Sequence, residues 1–309
     1  MPDRALVNKF RPYTDKELNA IAGQLGSVYS DAEKDLLRIL AKGNITDWRR
    51  AFTIQQMAQV EAITSGLTKS GVAWTETHVP TLYKHGMWVA DGHLQPGGLS
   101  KLAHPGEWTP MDLGMTRVHE VAINNLAENA ALKLGNANNY CAQRIKSMVA
   151  RTQALAQVPA TRDAQFAISN VQWGIRDASL DAMTQAFAQG ETMRDAQRRF
   201  LAELNKRGIT SFVDASGREW DMQRYAEMVA RTVAQEAQTH GQLNRLMEAG
   251  EDLVEVVGRS LDDDSPCRPY EGKKLSITGK TKGYTPVDEA RAAGLLHPNC
   301  IHTLVPFIE

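Results

Sequence analysis

Apolar residues recur along most of this chain at the three- and four-residue spacing of a helix face, and only towards the end does that rhythm give way to alternation. Thr14 followed by Glu17, and Ser30 followed by Glu33, have the spacing of a capping box, which predicts two short helices near the N-terminus. Beyond Gly43-Asn44, Thr46 is placed to cap a third helix whose stripe runs through Trp48, Phe52, Ile54, Met57, Val60 and Ile63. From about 71 to 115, glycine and proline cluster with Trp74, His78, His85, Trp88, His93, His104 and Trp108. That composition predicts an irregular segment, interrupted by a helix around Leu82 to Ala90. Helical spacing resumes over Thr116 to Ala156, with a break expected at Gly135-Asn136, and continues over Thr161 to Gln189 and Thr192 to Lys206.

After residue 208 the period changes. Ile209 to Asp214 and Arg218 to Met222, around Ala215-Ser216-Gly217, read as a hairpin. An amphipathic helix follows, with Tyr225, Met228, Val229, Val233, Leu243 and Met247 on one face and Gly250 as its stop. Leu253 to Val257 has β character, and short strands and loops come after it. The expected fold is mainly α with a small C-terminal α+β module. Its segments are an N-terminal helical region (1–70), the irregular segment (71–115), a long helical arm (116–207) and a compact module (208–309) of one long helix, short hairpins and a Cys/His cluster.

Composition narrows the classes. Lys+Arg 35 against Asp+Glu 36 leaves a net charge of −1, which excludes a free-standing polycation that coats nucleic acid. Plentiful Ala and Gln with few aromatics favour helices over a large sheet. No apolar run approaches the ~18 residues of a membrane span, so none is expected. The start MPDRALVNKF lacks the apolar core of a secretory signal, and three cysteines make a disulfide framework improbable, so synthesis in a reducing compartment is expected.

Chemistry concentrates near the end. Cys300 and His302 are two apart, so on an extended segment their side chains leave the same face. His297 and Cys300 flank Pro298-Asn299, a tight turn, and Cys267 can arrive from an earlier loop. Cys267, His297, Cys300 and His302 would make a closed tetrahedral structural zinc site. The competing reading is of packed thiols and a hydrogen-bonded turn, because Tyr270 stands where a zinc knuckle has its second cysteine. Beside this cluster Arg268, Lys273, Lys274, Lys280 and Lys282 surround a single acid, Glu271. Such a loop suits nucleic-acid phosphates or serves as a solvated lysine-rich edge strand. Enzyme motifs fail: His119-Glu120 opens a zinc-protease pattern that needs a histidine where Ile123 stands, and Gly279-Lys280-Thr281 ends a phosphate loop that needs a glycine where Lys274 stands. No enzymatic activity is expected.

The run Tyr225 to Glu236 with Arg231-Thr232, Ala249-Gly250 before Leu253-Val254, Cys267-x-Pro-Tyr-Glu-Gly-Lys273, and the ending His297-Pro-Asn-Cys300-x-His302 resemble the minor capsid (head morphogenesis, Mu F-like) proteins of tailed bacteriophages, in particular the actinophage-type branch. The resemblance covers about the last 100 residues. It implies a virion protein made in the host cytoplasm and present in few copies, at the portal vertex or capsid interior. Its implied partners are the portal protein, the major capsid protein and packaged DNA, with roles in head assembly, packaging or ejection.

Overall fold

A computed structural model describes residues 10–41, 54–94, 114–156, 181–258 and 264–307, apart from 187, 190, 191 and 215. The expected cap at Thr46, most of the helix expected from Thr161, and His104, Trp108 and Asp262-Asp263 lie outside the described residues. Helices dominate: α1 (Asp15–Ala41), α2 (Ile54–Leu94), α3 (Arg117–Ala156), α4 (Met193–Lys206) and α5 (Met222–Glu248), with a short α6 (Val287–Ala292). Strands β1 (Phe212–Val213) and β2 (Glu219–Trp220) form the expected hairpin. Strands β3 (Leu253–Val257), β4 (Lys274–Ser276), β5 (Thr285–Pro286) and β6 (Thr303–Pro306) form one sheet in the order β5-β4-β3-β6. No helix among the described residues is long and apolar enough to cross a membrane.

The chain separates into two compact units, each discontinuous in sequence: Met1–Leu25, Val72–Leu132 and Glu227–Glu309 in the first, Gly26–Gly71 and Lys133–Ala226 in the second.

Three expected interruptions are absent. Ser30 lies inside an unbroken α1, and α3 continues through Gly135-Asn136. Residues 71–94, expected to be irregular apart from a helix around Leu82 to Ala90, all belong to α2 in spite of Pro80. Proline removes one helical donor. Thr75, Thr77 and Thr81 donate hydroxyl hydrogen bonds to the Val72, Ala73 and Thr77 carbonyls in the turns before and beside Pro80. The apolar positions Val79, Leu82, Tyr83, Met87, Val89 and Ala90 are all buried, and that burial overrides the local breakers.

In the first unit α2 and α5 approach backbone to backbone. A Cβ added at Gly86 would lie 1.9 Å from the Gln238 carbonyl oxygen, and one at Gly241 would lie 2.0 Å from that of Tyr83. Polar pairs fix the register of this crossing. Asn244 donates to the Tyr83 hydroxyl at 2.6 Å, and Arg245 pairs with Asp91 at 2.6 Å. Buried His119, on α3, places Nδ1 2.9 Å from the Tyr83 hydroxyl and Nε2 3.0 Å from Glu248. The N-terminal segment is tied to the same helices: the Tyr13 N–H donates to Gln238 at 2.8 Å, its ring stacks on His85, and Phe10 is buried against Trp88.

Helix α5 ends as its sequence implies. Gly250 adopts φ 84°, the Gly250 N–H reaches Met247 O and the Glu251 N–H reaches Leu246 O, a Schellman pair. Strand β3 starts two residues later and buries Val254 and Val256 in alternation. Strand β6 is an edge, but Gln235 and Gln242, two turns apart on α5, donate to the carbonyls of His302 and Leu304 at 2.7 and 2.9 Å. Those amides occupy the outward acceptors that an open edge would offer another chain.

Asp252, between α5 and β3, organises the loop after β4. Its carboxylate accepts from Ser276 and Thr281 hydroxyls at 2.5 Å each and from the Thr278 N–H at 2.7 Å. Burial alone would raise its pKa, but these hydrogen bonds outweigh it and hold the carboxyl far below the usual range. Asp252→Ala is expected to cost about 1–3 kcal/mol at pH 7. Because the folded pKa is depressed, the contribution is complete above about pH 5 and is lost on acidification below it. The gap between the thermal melts of parent and variant should therefore be constant near neutral pH and narrow progressively from about pH 5 to pH 3 without closing; a gap independent of pH would remove the charge from this account.

The second unit is tied by Asn138, which is buried and whose amide donates to the Tyr29 hydroxyl and to Thr68 Oγ1 at 3.0 and 3.1 Å. These contacts link parts of α1, α2 and α3. Helix α4 opens with the expected cap, in which Thr192 and Asp195 exchange hydrogen bonds.

Candidate metal centre

Cys267 leads into a 3-10 turn, Arg268–Tyr270, through the Tyr270 N–H bonding to Cys267 O. His297 and Cys300 close the expected tight turn, with the Cys300 N–H on His297 O at 2.9 Å and Asn299 at φ 63°, a conformation that asparagine tolerates. The two loops meet at Gly294, which adopts φ 112°; a Cβ there would lie 2.6 Å from Pro266 Cβ, so only glycine lets the Cys267 loop approach this closely.

Cys267, Cys300 and His302 are buried, and their ligand atoms lie within 4.8 Å of one another. Cys300 Sγ is 3.3 Å from His302 Nδ1, and Cys267 Sγ is 3.5 Å from His297 Nε2. A tetrahedral zinc bound to sulfur and nitrogen spaces such a pair by about 3.6 Å. Two thiols and two imidazoles also form a donor set suited to zinc. His297 stands apart from the tight group: it is half-buried and faces Cys267 alone. The cluster can hold a metal ion.

The packed-thiol alternative has its own support. Cys267 and Cys300 belong to the core beneath the sheet with Val254, Val256, Leu275, Leu295 and Leu304, and Ser265 Oγ lies 2.9 Å from Cys267 Sγ. Burial pushes the Cys300 thiol well above its ordinary pKa, so without a cation the thiol keeps its proton.

The outer contacts are specific. His302 Nε2 lies 3.0 Å from Glu271 Oε1, and His297 Nδ1 lies 2.8 Å from Pro298 O. Each imidazole therefore has an acceptor on one nitrogen and a thiol on the other. Sequence reasoning missed Glu271, which it counted as the lone acid among cations; a separation of 31 residues from His302 leaves no signal in the spacing.

The five cations differ in their surroundings. Lys274 lies over the Phe307 ring at 3.5 Å from its centroid and Lys273 over Tyr270 at 5.6 Å, while Arg268, Lys273, Lys280 and Lys282 are exposed. Lys273 and Lys274 are adjacent at the start of β4, so their side chains leave opposite faces.

A family profile described as phage minor capsid protein 2 matches residues 117–309, more than half of the chain. The chain belongs to the phage minor capsid protein 2 family. No curated protein and no solved structure matches it. The matched region of this minor capsid protein starts at α3 and takes in α5, the sheet and the whole Cys/His cluster. Family membership places the minor capsid protein in the virion, in association with other capsid components.

Proposed function

We propose that the protein is a structural, non-enzymatic head component present in few copies at the portal vertex or inner capsid face. There its helices dock on portal and major capsid subunits and aid head assembly, DNA packaging or genome ejection. The family match supports this reading together with one surface observation. Near the start of α3, Val118, Val121 and Leu132 are 62%, 49% and 62% exposed. At about 100° per residue the three fall within roughly 60° of one another on the helix. Large apolar residues open on one helix side are what a partner subunit covers. Cys267, His297, Cys300 and His302 hold a structural zinc in this proposal, and exposed Lys280 and Lys282 contact packaged DNA, a contact that salt would weaken.

The docking reading is tested by cosedimentation of the purified chain with isolated portal rings and with empty shells. The parent is expected to pellet with one of them. A Val118→Glu, Val121→Glu, Leu132→Glu variant, its circular dichroism unchanged, is expected to stay in the supernatant. A parent that binds neither assembly would sink the proposal.

A further inference from the structure

We infer that Glu271 is a positioning residue for the metal centre: its carboxylate holds His302 in the tautomer whose Nδ1 lone pair faces the thiols, so that His302 ligates through Nδ1. This rests on the proposed reading that Cys267, His297, Cys300 and His302 bind a metal.

The placement follows from the sheet. The backbone before β4 extends the pairing with β3, since the Val256 N–H bonds to Lys273 O and the Gly272 N–H to Val256 O. On the other side of β3, Val257 is registered with Thr303 of β6. Glu271 and His302 are the residues that lead into these two flanking segments, so both arrive at the C-terminal end of β3 from opposite sides. Their side chains meet there, with Nε2 of His302 3.0 Å from Glu271 Oε1.

A neutral imidazole has one N–H and one lone pair. The carboxylate accepts only, so the hydrogen belongs on Nε2 and the lone pair on Nδ1, which lies 3.3 Å from Cys300 Sγ. The backbone of His302 is held separately: its N–H donates to Cys300 Sγ at 3.4 Å and its carbonyl accepts from Gln235 at 2.7 Å. Ring orientation and tautomer are what remain for Glu271 to set. His297 has the opposite arrangement, with Nδ1 on the Pro298 carbonyl and Nε2 towards Cys267. The two histidines therefore ligate through different nitrogens. Carboxylate partners of this kind orient a ligating imidazole and raise its basicity, and their loss lowers metal affinity by about 10–100-fold.

The test measures zinc affinity by competition with a chromophoric chelator for the parent, Glu271→Ala and Glu271→Gln. It is joined by ¹⁵N-histidine NMR of the zinc-loaded and zinc-free parent to identify the protonated nitrogen of His302. Expected are one zinc per chain in the parent, an affinity loss of about 10–100-fold in Glu271→Ala, and a smaller loss in Glu271→Gln, which keeps an acceptor oxygen. His302 should carry its proton on Nε2 in both states of the parent. A parent that binds zinc while Glu271→Ala binds equally well, or a His302 protonated on Nδ1, overturns the role of Glu271 alone. A parent that takes up no zinc overturns the metal reading and with it this proposal, and that failure is visible without any variant.

Discussion

Gly241→Ala is expected to destabilise the first unit by about 3 kcal/mol or more, although alanine is the better helix former. The added methyl would sit 2.0 Å from the Tyr83 carbonyl oxygen, and that oxygen belongs to helix backbone, which cannot rotate away as a flexible side chain would. Relief requires α2 and α5 to separate, which breaks the Asn244–Tyr83 and Arg245–Asp91 contacts that depend on their register. Gly23→Ala, in α1 of the same unit, has the opposite expected sign, because nothing lies within 4 Å of its added Cβ. It should gain about 0.5–1 kcal/mol from helix propensity alone. Thermal melts of the two variants beside the parent measure both. An unchanged melt for Gly241→Ala would mean that the two helices do not cross at this glycine.

Removal of metal is the second large effect. A structural zinc contributes its binding free energy to folding, about 10–16 kcal/mol in small zinc-finger peptides, and less of that is needed where Val254, Val256, Leu275 and Leu304 already form a core. Chelation of the parent is therefore expected to lower its melting temperature sharply, and Cys300→Ser should lose the metal and melt like the chelated parent. Cys141 is the control. It is buried in the second unit, its thiol raised to about 12 by burial and directed at the Thr210 carbonyl, so Cys141→Ser should leave metal content unchanged. Elemental analysis and melting curves with and without chelator decide the point. If chelator changes nothing and Cys300→Ser costs only about 1 kcal/mol, Cys267 and Cys300 are packed thiols.

How much of this was legible depended on the range of each interaction. Caps, turns and the strand Leu253–Val257 were readable because their causes lie within a few residues: Thr192 with Asp195, Gly250 after α5, and alternation along β3. The class, mainly helical with a small C-terminal module and its Cys/His cluster, followed from the same local signals. Misreadings arose where a residue serves a distant contact. Ser30-Glu33 has capping spacing, yet Glu33 accepts from Thr210 and sits inside α1. Gly86 lies within the helix expected over Leu82 to Ala90, and nothing local to it signals that another helix approaches there. Gly135-Asn136 suggested a break in α3, but the helix runs on through both to Asn138, the buried amide that ties Tyr29 and Thr68. At the site, Cys300 and His302 were paired by their spacing, whereas Glu271 belongs to a contact that only the sheet creates.

The N–H of Tyr13 reaches Gln238 across 225 positions of the chain, and that span has a temporal meaning. A ribosome adding about 5–20 residues per second needs roughly 10–40 s to deliver the partner after the N-terminal segment has emerged. Throughout that interval Phe10 and the apolar face of α2 lack α5, and a product terminated early never gains it. A chain that stops before α5 therefore lacks the partner of Tyr13 and the face on which α2 packs, and its first unit stays incomplete.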